Sequence, residues 1–139
     1  MLGVVTIRDG TQADVDAVLA IWHATAEPSA TDDADGVSNL MNGNCGALLV
    51  AVDEGAVIGT VIVGWDGWRG AMYRLAVLAQ YRRRGVAASL VREGERRLRD
   101  KGARRLQMIV AADATAAQEF WSTAGYERTD QLRYVMNLC

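Results

Sequence analysis

Apolar positions recur along the chain with two periods. At Val15, Val18, Leu19 and Trp22 they fall three and four residues apart, which predicts a helix running to about Ala26. Thr11 stands before it as the expected N-cap, and Pro28 follows its end. Val37, Leu40 and Met41 predict a short second helix closing at Asn42-Gly43. Val86, Leu90, Val91 and Leu98 line one face of a long helix from Gly85 to Lys101, stopped by Gly102. A fourth helix is expected from Ala114 to Thr123. Between these lie shorter apolar runs that read as strands: Val4 to Arg8, Ala47 to Val52, Val57 to Trp65, Met72 to Leu78, Arg105 to Val110, and at the end Tyr126 to Arg128 and Leu132 to Leu138. Asp53-Glu54-Gly55 is the turn of a hairpin. The glycine-rich stretch Gly64 to Gly70 is a second turn region. The order βααβββαβαβ predicts an α/β (α+β) fold, with an antiparallel meander followed by β-α-β crossovers.

At 139 residues, the expectation is a single domain spanning 1–139. Half the residues are hydrophobic and 23% are charged, as in a globular chain with a real core. Met1-Leu2-Gly3-Val4-Val5 lacks a basic leader, and no run approaches the ~20 apolar residues that span a bilayer. Cys45 and Cys139 make no disulfide framework, and the single histidine, His23, belongs to no metal-ligand pair. The expected setting is the cytoplasm, with no metal, no membrane and no nucleic acid; the reading leaves room for a homodimer.

Charge is divided unevenly. Ten acids and one base precede Arg69, a charge of −9; fourteen bases and seven acids follow, a charge of +7. Ten of those bases lie between Arg82 and Arg105. Most read as a solvated helix face, with Glu93–Arg97 and Glu95–Arg99 at i, i+4 spacing. The segment Arg82-Arg83-Arg84-Gly85-Val86-Ala87 is different, because it joins the strand Leu75-Ala76-Val77 to the long helix. A helix N-terminus offers N–H groups without intrahelical partners and the positive end of the dipole. Gly85 lets the backbone approach an anion, Ala87 is small for the same reason, and three arginines add charge. Together these make a pyrophosphate cradle that is neither a Walker A loop nor a dinucleotide fingerprint.

Arg82-x-x-Gly85-x-Ala87 resembles the Arg/Gln-x-x-Gly-x-Gly/Ala motif of the GNAT N-acetyltransferase superfamily, and Tyr73 to Val77 with Tyr81 to Leu90 looks like its coenzyme strand and loop. Phe120-Trp121-Ser122-Thr123-Ala124-Gly125-Tyr126 resembles that family's Phe-Tyr-x-x-x-Gly-Phe segment. The Gly64 to Gly70 turn followed by Met72 to Val77 is similar to a subgroup of small bacterial members. The resemblance covers essentially the whole chain. It implies an acetyl-CoA-dependent enzyme that moves an acetyl group directly to a primary amine, of a small molecule or of a peptide. Acetyl-CoA would lie between the strands at 72–78 and 105–110, its diphosphate on the backbone of Arg83, Arg84, Gly85, Val86, Ala87 and Ala88, its pantetheine beside Ala76, Val77 and Leu78, with Arg82 in the motif.

Three positions depart from the family pattern. Ala79 stands for the usual Pro, and Ala114 for an Asn that often bonds pantetheine. Trp121 stands for the Tyr that protonates the departing thiolate, and an indole is no usable acid. Tyr126, Tyr73 and Ser122 are candidate replacements, and Asp66, Tyr73 and His23 are candidate bases. Asp32, Asp33 and Asp35 fall where the family admits its acceptor and suggest a cationic amine. The departures also favour an alternative, a catalytically weak or inactive acyl-CoA-binding sensor of the same fold.

Overall fold

The computed structural model describes residues 4–138, so the readings made on Met1–Gly3 and Cys139 lie outside the described residues. The chain divides into two compact units, 1–108 and 109–139.

The first unit is built on a five-stranded sheet of order β1-β2-β3-β4-β5. Its strands are β1 (Thr6–Asp9), β2 (Gly46–Asp53), β3 (Ala56–Trp65), β4 (Gly70–Val77) and β5 (Leu106–Met108). All neighbours pair antiparallel except β4 and β5, which are parallel. The β2–β3 hairpin closes through Glu54 and Gly55, both with positive φ (50° and 82°), the backbone that a tight turn between twisted strands requires. Three helices pack on the sheet: α1 (Val15–Thr25), α2 (Ala34–Asn42) and α3 (Val86–Asp100).

Period-two alternation sorts the strand side chains onto two faces. Leu48 and Val50 of β2 join Val15, Val18, Ile21 and Trp22 of α1 and Val37 of α2 in one cluster. Leu49 and Ala51, one residue out of phase, are buried on the opposite side. On that side α3 lies close to the sheet: a Cβ added at Gly94 would come within 2.9 Å of the Met72 methyl, and one at Gly70 within 2.7 Å of Leu98. Each aliphatic side chain buried in this way contributes roughly 1.5–3 kcal/mol.

The helix boundaries follow local chemistry. Thr11 precedes a single 3-10 turn, Gln12–Asp14, and α1 itself starts at Val15. The Asp14 carboxylate accepts the Thr11 N–H at 2.8 Å. Asp33 caps α2 by accepting the Gly36 N–H at 2.7 Å, and Gly43 closes it.

The second unit contains α4 (Thr115–Thr123). Trp121 packs edge-on to Phe120 and Tyr126, with centroids 5.2 and 5.0 Å away. The strands expected at Tyr126–Arg128 and Leu132–Leu138 do not form. A strand exists only by pairing, and within residues 109–138 there is a helix but no strand to pair with. Leu132, Tyr134, Met136 and Leu138 alternate as the strand reading required, yet are 81–92% exposed. No helix among the described residues is long and apolar enough to cross a membrane.

Candidate active site

β4 is two short strands joined at a bulge. Its first half pairs on both sides: Gly70, Ala71 and Met72 face Leu106, Gln107 and Met108 of β5. Beyond Met72 it pairs with β3 alone, and the register shifts between Ile62↔Tyr73 and Thr60↔Ala76. Arg74 sits at that shift with φ +52°, a left-handed backbone that costs a non-glycine residue roughly 1–3 kcal/mol. The extra residue reverses the facing of the second half of the strand. Gly70 and Met72 face α3, whereas Ala76, of the same parity, joins the α1 cluster, and Val77 turns toward Leu90 of α3 beside Gly59. The Leu78 N–H donates to the Ile58 carbonyl at 2.9 Å. Alternation therefore points the N–H and C=O of Val77 away from β3, toward the side that β5 leaves open.

Immediately after this strand comes a single 3-10 turn, Ala79–Tyr81, and then the arginine loop. Arg82 donates from Nε to the Val77 carbonyl at 3.3 Å, tying the loop to the strand end. Arg83 has φ +62° and Gly85 φ +79°, with Arg84 between them at negative φ. Alternating handedness of this kind turns successive N–H groups to one side and forms an anion-binding concavity. Gly85 is the N-cap of α3, and a Cβ built there would meet no protein atom within 4 Å. The glycine is therefore required by its backbone angle, and the space beside it is open.

Three consecutive arginines concentrate positive charge in the loop. Four arginines of the first unit, Arg8, Arg74, Arg96 and Arg97, are paired with acids. Arg8 holds Asp14 (2.7 Å), Arg74 holds Asp32, Arg97 holds Asp9 and Glu93, and Arg96 holds Glu93 and Asp100. Among the described residues, no acid pairs with Arg82, Arg83 or Arg84; Arg84 lies 5.9 Å over the Tyr81 ring. Three cations without an acid partner thus precede the N-terminus of α3, where the N–H groups of Val86, Ala87 and Ala88 open the helix.

The proton-transfer candidates occupy unlike settings. Asp66 serves its own turn: its Oδ1 accepts the N–H groups of Arg69 (2.7 Å) and Trp68 (2.8 Å). These bonds, that of Arg69 foremost, hold its carboxyl below the usual range. Asp66, a candidate base in the sequence, is thus bonded within its own turn. Tyr73 lies on β4 next to the bulge, 49% exposed. His23 is exposed on the last turn of α1. Tyr126 lies in the second unit, its ring against Trp121.

Two of the acidic trio have partners of their own. Asp32 is bound by Arg74 and by the Ser29 N–H (3.0 Å), and Asp33 caps α2. Only Asp35 of the three remains as an exposed first-turn acid. What sequence reasoning missed is the bulge and its support. Trp22 donates from Nε1 to the Thr60 hydroxyl, which donates to the Arg74 carbonyl, both at 2.9 Å. The one available signal was Thr60, a lone hydroxyl in an apolar strand and fully buried. No group of three or more His, Cys, Asp or Glu side chains that could hold a metal occurs among the described residues.

Comparison with solved structures finds the same fold repeatedly. The aminoglycoside acetyltransferase AAC(6')-Iy, solved with a CoA-containing bisubstrate analogue, superposes with TM-score 0.81 at 20% identity, covering 99% of this chain and 100% of that one. The aminoglycoside 6'-N-acetyltransferase AAC(6')-IG from Acinetobacter haemolyticus gives TM-score 0.82 at 17% identity, covering 96% and 99%. A transcriptional regulator from Bacillus halodurans gives 0.83 at 15% identity, covering 96% and 100%. At these identities the likeness is one of fold. The sequence itself matches the acetyltransferase (GNAT) family over residues 15–126, which take in α1 through α4, the arginine loop and Trp121. The chain therefore belongs to the GNAT acetyltransferase family.

Proposed function

We propose that the protein is an acetyl-CoA-dependent N-acetyltransferase, that residues 1–139 act as one such domain, and that its acceptor is the primary amine of a small molecule. The observation that carries this reading is the set of unpaired arginines 82–84 around the left-handed turn that opens α3. A CoA diphosphate fits there on the N–H groups from Arg83 to Ala88. The pantetheine arm then runs beside the strand Ala76-Val77-Leu78, with Val77 offering the outward N–H and C=O. That N–H is also the group placed to stabilise an oxyanion formed when the amine attacks the thioester carbonyl. The C–N bond forms first and gives the tetrahedral oxyanion; the amine proton leaves to a base directly or through water, the C–S bond then breaks as the carbonyl re-forms, and CoA departs as a thiolate that takes a proton from water. Tyr73 is the candidate carried forward for that transfer, by its exposure and its place on β4.

Aminoglycoside-like amines are the first acceptors to screen, because two of the neighbours are aminoglycoside acetyltransferases. Ala114 and Trp121, standing where the family has its pantetheine-bonding Asn and its Tyr acid, support a second reading: a fold that binds acyl-CoA and turns over slowly or not at all. Calorimetric titration with CoA, followed by thiol release from acetyl-CoA against a panel of primary amines, separates the cases. Binding with release supports the enzyme, and binding without release across the panel supports the sensor. Absence of binding overturns both.

A further inference from the structure

One side chain joins the β4 bulge to the loop ahead of α2. The Arg74 guanidinium donates from Nε to Asp32 Oδ1 at 3.2 Å and from Nη2 to Asp32 Oδ2. The same Nη2 reaches the Ser29 hydroxyl (3.2 Å) and the Glu27 carbonyl (3.3 Å). Asp32 also accepts the Ser29 N–H. The two side chains are only 19% and 7% exposed. On the backbone side, the Arg74 carbonyl is held by Thr60, which is held by Trp22, and the guanidinium lies 5.8 Å over the Trp22 ring.

An arginine with left-handed backbone inside a strand persists only where its surroundings over-determine it. Here the surroundings are a forked ion pair on one side and a buried hydroxyl relay on the other. Neither is needed to pair β3 with β4, since an unbulged ladder would do that with regular bonds. What the bulge determines is the facing of the next residues. Without the extra residue Val77 would present its side chain to the α1 face, and its N–H and C=O would turn into the ladder.

We propose that Arg74 and Asp32 are positioning residues for the coenzyme: their ion pair fixes the bulge that turns the Val77 backbone outward beside the arginine loop. This rests on the acetyl-CoA reading above. The same pair tethers the loop of residues 26–33, so that loop and the coenzyme strand are ordered together. Asp32 is thereby a support for the strand, not a recognition group for a cationic acceptor.

Two variants of the full chain test this. Asp32→Asn keeps an oxygen for the Ser29 N–H but removes the charge. Arg74→Gly accepts the left-handed backbone freely but removes the guanidinium. Each is expected to raise the calorimetric Kd for CoA roughly tenfold, as misplacement of a contacting group does. The double variant should be no worse than the worse single, because both remove one interaction. Each should also speed amide exchange at Val77 and Leu78 more than at Val50 and Val61. A merely structural pair would lower Tm and accelerate exchange evenly while leaving Kd unchanged, and that result overturns the proposal, as does additivity in the double variant. If the wild type binds no CoA, the coenzyme reading falls and the proposal with it. Wild-type binding that both variants retain within twofold sinks the positioning role alone.

Discussion

The Trp22 indole N–H and the Thr60 hydroxyl oxygen are 2.9 Å apart in the buried layer between α1 and β3, and the same hydroxyl reaches on to the Arg74 carbonyl. Thr60→Val preserves shape but strands a buried indole N–H and a strand carbonyl. The expected loss is about 2–6 kcal/mol of stability, given 1–3 for each of the two groups left unsatisfied. Thr60→Ser keeps the hydroxyl and should recover most of it. Urea unfolding of the three proteins measures the difference, and a valine variant as stable as wild type would show that the relay carries no energy.

A second expectation concerns pH. The forked bonds from Arg8, helped by the Thr11 N–H, hold the Asp14 carboxyl at about 2. In the unfolded chain it titrates near an ordinary aspartate, about 3.9. The native pKa is the lower one, so the stabilisation is full above the unfolded value and is lost as pH falls from about 4 toward 2. With Arg8 substantially exposed, the contribution is on the order of 1–2 kcal/mol after screening. Asp14→Asn should flatten the acid limb of the stability profile over that window and leave its neutral part only lower. An unchanged acid limb would show that Asp14 is not linked to folding.

The arginine loop makes a ligand-specific prediction. Neutralising Arg83 and Arg84 to Gln, with Arg82 kept because it bonds the Val77 carbonyl, should weaken CoA by about 10- to 100-fold at low salt, through lost charge-assisted bonds. It should also shrink the salt dependence of binding and leave pantetheine, which lacks the diphosphate, unaffected. Gly85→Ala isolates the backbone. No protein atom crowds the new Cβ, so its cost is the left-handed conformation, about 1 kcal/mol. Equal losses for CoA and pantetheine would remove the diphosphate from this loop.

Proton transfer gives a fourth. Asp66→Asn retains an oxygen for the two turn N–H groups, so kcat should stay within about threefold of wild type. Tyr73→Phe removes the phenol and should lower kcat by roughly 10²-fold or more if it moves the amine proton. The reverse pattern would return the base to Asp66.

What was legible in the sequence was what is local. Three helices follow side-chain spacing and capping residues a few positions apart, and Asp33 and Gly43 bound α2 for that reason. Gly85 announced its turn because few other residues adopt that angle. The β4 bulge was hidden inside Met72 to Leu78, since both halves are apolar and a one-residue slip leaves no mark in such a run. Arg74 and Asp32 are 42 positions apart, and nothing local selects that partner over other acids. The C-terminal alternation Leu132, Tyr134, Met136, Leu138 was a true pattern, but pattern specifies a face and not a neighbour. The charge of the acidic cluster is legible in the sequence, whereas the partners of Asp32 and Asp33 are not.

The ion pairs Arg8–Asp14, Arg97–Asp9 and Arg74–Asp32 have a consequence for the chain before it folds. The last two join the acidic first half to the basic second half, so the native fold brings together two blocks of opposite sign. Released from the fold, the same blocks form a block polyampholyte whose halves attract across the chain. Its coil is then contracted at low ionic strength and swells as added salt screens the attraction over about 8 Å and less. Guanidinium chloride, itself a salt, expands that coil as it denatures, whereas urea does not screen. The two denaturants therefore act on unfolded ensembles of different dimensions, and the unfolding free energies they extrapolate to should differ most in the absence of added salt.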